Sequence, residues 1–168
     1  MGLPSLIVAI ALAIGMQPHS SPEQVVRAFY GTDVALHSHG LPNSVALKSI
    51  APYISPDFAK LLQQAQVAEA LCIKSAPAGL KPPIWETAIF AQTWEDATNV
   101  SNVVVKTQNL KSASVAASLK YGPGESHEIA LELSNIGGVW VINDLKYPDG
   151  TSLSKQLFHY VHFKCAFQ

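Results

Sequence analysis

Acidic and imidazole side chains are the groups in this sequence best suited by type to do chemistry, and Asp144 leads them. It closes the run Trp140-Val141-Ile142-Asn143-Asp144. Side chains alternate along a strand, so Asp144 is expected on the inner face with Trp140 and Ile142. An acid there needs hydrogen-bond partners. It could serve as a general base, or it could bind nearby backbone N–H groups, or a Lys or Arg, and hold the mouth of the domain. His127 alternates with Ile129 and Leu131, so the same face is expected for it, near a strand end. Within hydrogen-bond reach of an inner Asp it would complete an acid/base pair; otherwise it is a rim residue.

Asp33 and His37 stand one helical turn apart, with His39 close by. Three such groups could ligate a metal, but the spacing matches no ligand motif, and a solvated helix end explains it as well. His159, His162 and Cys165 recur every third residue. On a helix the first and last would point about 240° apart. On a strand His162 would face away from the other two. No metal and no cofactor is therefore expected. The chain lacks a G-x-S-x-G nucleophile turn and a phosphate-cradling Gly loop, so the sequence leans away from an enzyme.

The remaining candidates are aromatic. Trp85, Phe90 and Trp94 stand beside Glu86 and Glu95. They suit a pocket lining or a recognition surface, and equally a core. Tyr30 and Trp140, with Leu131 and Ile142, would line a hollow between helices and sheet. The tail residues Phe158, Tyr160, Val161, Phe163 and Phe167 would add an edge strand or an adhesive surface.

The elements that must position these groups fall in two halves. Ser21-Pro22-Glu23-Gln24 is a helix start with a capping box. Val26, Phe29, Tyr30, Asp33, Val34 and His37 follow on one face, and Gly40-Leu41-Pro42 ends the helix. A short helix is expected over 45–50. Ser55-Pro56-Asp57 starts another, with Phe58, Leu61, Leu62, Ala65, Ala68 and Cys72 as its apolar stripe, ending near Ser75. After the prolines the period changes to two. Strands are expected over 100–108, 113–121, 127–133 and 140–145, joined by turns at 122–124 and 135–138. A short helix is expected over 151–158. Helices first and hairpin-linked strands afterwards predict an α+β domain, with N-terminal helices packed on a curved antiparallel sheet.

Several of these segments resemble an exported bacterial family, domain-of-unknown-function family 3828. The likeness lies in Ser21 to Tyr30, in the segment Pro82-Pro83-Ile84 through Trp94-Glu95, and in Trp140-Val141-Ile142-Asn143-Asp144-Leu145-Lys146-Tyr147. It covers roughly 21–157. The chain departs from the pattern at Glu86-Thr87 and at Asp96. The resemblance implies a nuclear-transport-factor-2-like cone fold and supplies no catalytic residues. That fold hosts binding domains, carriers, isomerases and dehydratases.

Residues 1–15 read as a signal peptide: the apolar run from Leu3 to Ile14 is shorter than the roughly 20 residues of a membrane span, and Ala13 and Gly15 suit cleavage after Gly15; a buried or anchoring N-terminal helix is the other reading. The expected organisation is then a leader, one domain over 21–157, and an aromatic extension over 158–168. Export to the periplasm or medium favours a disulfide between Cys72 and Cys165; two buried thiols are the other reading. With 11 basic and 12 acidic residues and no basic stripe, nucleic acid is not an expected partner, nor is a membrane once the leader is removed. The leading expectation is a non-enzymatic binding protein with a protein partner in the cell envelope, an inhibitor or immunity protein being one form. A small-molecule carrier, and a cone-type isomerase or dehydratase using Asp144, are the alternatives. A homodimer through the sheet is open to such a fold.

Overall fold

A computed structural model describes residues 21–122, 124–163 and 165. The expected leader and Phe167 lie outside the described residues. The elements are α1 (Pro22–Leu36), α2 (Ser44–Ile50), a short 3-10 turn (Ala51–Tyr53), α3 (Pro56–Ser75), β1 (Asn99–Gln108), β2 (Ser112–Lys120), β3 (Ser126–Ile136), β4 (Val139–Lys146) and α4 (Leu153–His162). The fold is α+β.

Local chemistry sets the helix starts. The Ser21 hydroxyl accepts from the Gln24 N–H at 3.2 Å, and Pro22 takes the first turn, where its missing N–H costs nothing. Ser55 repeats this for α3, accepting from Phe58 N–H at 3.3 Å. α1 stops earlier than the apolar pattern suggested. His37 takes a left-handed conformation (φ 48°) and closes the helix. It is therefore exposed rather than on the buried face expected for it. The chain then turns through Gly40, whose N–H donates to the Thr87 carbonyl at 3.1 Å. A Cβ at Gly40 would lie 2.8 Å from the Trp85 carbonyl oxygen, so this crossing needs glycine.

The four strands form an antiparallel meander in the order β1-β2-β3-β4. Helices pack on one face, and α1 lies against β1, β2 and β4. The opposite face carries the exposed ion pairs Lys106–Glu128 (3.7 Å) and Lys146–Glu132 (3.0 Å). Inner positions Val115, Leu119, Ile129, Leu131, Ile142 and Leu145 are fully buried. A register irregularity interrupts β3–β4. Glu132 pairs with Asp144 and Leu133 with Ile142, so Asn143 is an extra residue. Such a bulge bends the sheet and resets the alternation beyond it.

Among the described residues, core side chains occupy the hollow expected between helices and sheet. Phe29 meets Tyr30 and Phe90 edge to face, with ring centroids 5.1 and 5.0 Å apart. Tyr30, Leu131, Trp140 and Ile142, expected to line a pocket, belong to this core. The long segment between α3 and β1 closes it from one side. Cys72 and Cys165 are bonded, joining α3 to the tail. The described part of the tail is not an edge strand: 158–162 continue α4. Tyr160 donates to the Pro83 carbonyl at 2.8 Å, so this part of the expected extension is built into the domain.

Candidate functional site

The segment Ile89–Ala91 runs through the core without strand partners, and its carbonyls need donors. Three side chains supply them. Tyr147 donates to Ile89 at 2.6 Å, Tyr30 to Phe90 at 3.0 Å, and His127 Nε2 to Ala91 at 2.7 Å. A carbonyl only accepts, so Nε2 carries the His127 proton. Burial pushes the Tyr30 and Tyr147 hydroxyls well above the usual phenol range, with Asp33 adding to the first and Asp144 to the second. These phenols stay neutral donors. Three of the groups that the sequence offers for chemistry or binding, Tyr30, Phe90 and His127, thus meet at one structural seam.

Asp144 is corrected by the bulge. Its pairing with Glu132 places it away from Trp140 and Ile142, whose face is continued by Leu145. The carboxylate accepts from Leu145 N–H and Ser154 N–H, both at 2.9 Å, from the Ser154 hydroxyl at 2.8 Å, and from the Ser152 hydroxyl. Ser152 is also the N-cap of α4. Asp144 therefore clips the start of α4 to β4, where a negative charge also suits the helix dipole. It forms no acid/base pair with His127, and an isomerase or dehydratase built on Asp144 is not supported.

Among the described residues Asp33 is the buried acid. It is 8% exposed, and its Oδ1 has no hydrogen-bond partner. Burial raises its pKa to about 7, and the charge of Asp96 adds to the effect. The Ser38 hydroxyl lies near enough to oppose the shift, but completes no hydrogen bond. His37 is turned to solvent. His39 is spent between Asp96 (Nδ1 to Oδ1, 3.1 Å) and the Glu86 carbonyl (Nε2, 2.8 Å). Among the described residues no three His, Cys, Asp or Glu side chains are placed to hold one ion.

Trp94, Glu95 and Glu125 come together on one cleft. The loop 93–95 and the β2–β3 turn enclose a cleft of about 340 Å3 lined by Trp94, Glu95, Tyr121, Glu125 and His127, among others. Gln92, with φ 57°, makes the turn that leads into this loop. Tyr121 stacks on His127 with ring centroids 4.8 Å apart, and its hydroxyl oxygen lies 3.0 Å from Nε2. Burial pushes the Tyr121 phenol up to about 12, Thr93 opposing and Asp33 adding to the shift. Trp94 is 72% exposed at the cleft. Trp85, by contrast, packs against Tyr160 and donates its indole N–H to Thr87 at 3.1 Å. Glu86 pairs with Lys81.

Sequence reasoning named Trp94 and His127 but missed Tyr121, Thr93 and Glu125 as their neighbours. Tyr121 was readable only as the last inward position of a strand. It also missed a wider cleft of about 650 Å3 between the start of α3 and the β3–β4 end, lined by Ser55, Phe58, Leu61, Ile136 and Asn143 among others.

No family model and no curated protein matches the chain. A solved structure of a phospholipid-binding protein from Ralstonia solanacearum, in complex with a phospholipid, is similar over 82% of this chain at 16% identity and a TM-score of 0.28. The chain spans 62% of that protein's length.

Proposed function

We propose that this chain is an exported, disulfide-bonded, non-enzymatic binding protein that recognises a protein partner in the cell envelope through the Trp94 cleft. One observation carries the reading. A tryptophan 72% exposed stands over a formed cleft, while the interior that a carrier or cone enzyme would use is packed with the chain's own side chains. Large exposed aromatics are costly to leave in water and are the commonest anchors of protein interfaces. The Cys72–Cys165 bond supports an oxidising compartment. No helix among the described residues is long and apolar enough to cross a membrane. Inhibition of, or immunity to, an envelope-directed toxin is the concrete form of this role. Membership of family 3828 over 21–157 is part of the same proposal.

The test is affinity capture from envelope extracts with the oxidised chain, read by mass spectrometry for proteins and small molecules. The expected result is a stoichiometric protein partner, retained by the parent chain and lost by Trp94→Ala. A partner held equally by both would refute the recognition face. A retained small molecule without a protein would refute the partner class.

A further inference from the structure

The chemistry of the Trp94 cleft says what kind of group it receives. Its walls are the rings of Trp94, Tyr121 and His127, and its two charged residues are Glu95 and Glu125. Neither Lys nor Arg lines it. Five other acids have basic partners: Glu23, Glu86, Glu128 and Glu132 pair with Arg or Lys, and Asp96 meets the His39 ring. Glu95 and Glu125 are exposed and form no ion pair among the described residues. The nearest Lys in sequence, Lys120, is exposed and stands between the buried Leu119 and Tyr121, so alternation turns it to the outer face of the sheet. Behind the wall, Asp33 lies near enough to act on the Tyr121 phenol, and Asp96 near enough to act on Asp33.

An electron-rich indole face beside two unpaired carboxylates is complementary to a cation. At about 340 Å3 the cleft lies at the small end of ligand sites, which run from roughly 300 to 1,000 Å3. That suits one long side chain better than a large ligand. We propose that the cleft receives a Lys or Arg side chain from an exposed segment of the protein partner, with Trp94 covering the cation and Glu95 and Glu125 flanking it. This deepens the recognition face proposed above and rests on it.

Peptide titration tests it without knowing the partner. The oxidised chain, 15N-labelled, is titrated at low salt with acetyl-Gly-Lys-Gly-amide, its Arg counterpart and its Glu counterpart. The basic peptides are expected to shift the Trp94 indole N–H (assigned with Trp94→Phe) and the 125–127 amides. The Glu peptide is expected to leave them in place. Added salt should weaken the binding, since exposed charges are screened. Glu95→Gln combined with Glu125→Gln should weaken it roughly fivefold, the size expected for two exposed charge pairs. Equal shifts with the Glu peptide, no shifts at all, or full affinity in the double variant would overturn the proposal. The capture experiment separates the two levels. A partner lost by Trp94→Ala but held fully by the double Gln variant keeps the face and removes the cation. A partner held by both variants removes both.

Discussion

Replacing Asp33 by Asn should stabilise the protein at pH 8, against the usual outcome for a buried substitution. Asp33 is 8% exposed, its Oδ1 receives no hydrogen bond, and Asp96 repels its charge. Its pKa rises from 3.8 to about 7 on folding. A carboxyl with a raised folded pKa holds its proton more tightly folded than unfolded. Folding therefore carries no penalty well below pH 3.8, where both states are protonated, and the full penalty well above pH 7, where both are ionised. Each pH unit of displacement is worth about 1.4 kcal/mol, so the full penalty is on the order of 4 kcal/mol. Asn is neutral at every pH, and its amide can donate to the unpartnered Ser38 hydroxyl. Urea unfolding of parent and Asp33→Asn, followed by tryptophan fluorescence between pH 4 and 8, measures this directly. The parent midpoint should fall across pH 4–7 and the variant's should stay nearly level, with unchanged m-values. The variant should therefore gain on the parent as pH rises. Asp149 is held below the usual carboxylate range, so its contribution is lost only as pH falls through the acid end, outside this window. Parallel pH curves for the two proteins, or a parent flat from pH 5 to 7.5, would refute the reasoning.

Removing the disulfide with Cys72→Ser and Cys165→Ser should cost about 4 to 5 kcal/mol by the loop-entropy model, because the bond closes a sequence separation of 93. Calorimetry should show a fall of roughly 10 °C in Tm, and no change would mean the tail is held without the bond. Asp144→Ala should cost about 2 to 4 kcal/mol by leaving Ser152, Ser154 and the α4 start without their acceptor. Hydrogen exchange should show α4 opening first, with partner capture retained if the tail stays docked. Tyr147→Phe should cost about 1 to 3 kcal/mol in urea unfolding, because the buried Ile89 carbonyl loses its donor.

Much of the frame was legible because its signals are local. Ser21-Pro22 and Ser55-Pro56 start helices through bonds made within three residues. The alternation in β2 and β3 carries through unbroken pairings such as Val115 with Leu131 and Leu119 with His127. The Asp144 reading failed for the complementary reason. One extra residue, Asn143, reverses every inward and outward assignment beyond it, and nothing in Val141-Ile142-Asn143-Asp144 marks a bulge, since its cause is the pairing with β3. His37 failed similarly. The helical period predicts its face, but the chain leaves the helix there so that Gly40 can cross the Trp85 carbonyl.

The same non-local logic locates function. A chemistry-bearing side chain in the sequence is a candidate until the fold's own polar groups have claimed it. Here the unpaired carbonyls of 89–91 claim Tyr147, Tyr30 and His127. The start of α4 claims Asp144, the Asp96 and 86 segments claim His39, and Tyr160 packs on Trp85. Each has a structural partner that accounts for its type and position. Among the described residues Trp94 has none: exposing most of an indole to water gains nothing for folding, and a smaller polar residue would serve the loop as well. Glu95 and Glu125, which form no ion pair among the described residues while five other acids do, stand in the same position. Side chains that stability does not explain, gathered on one cleft, are the observation on which the proposed recognition face rests.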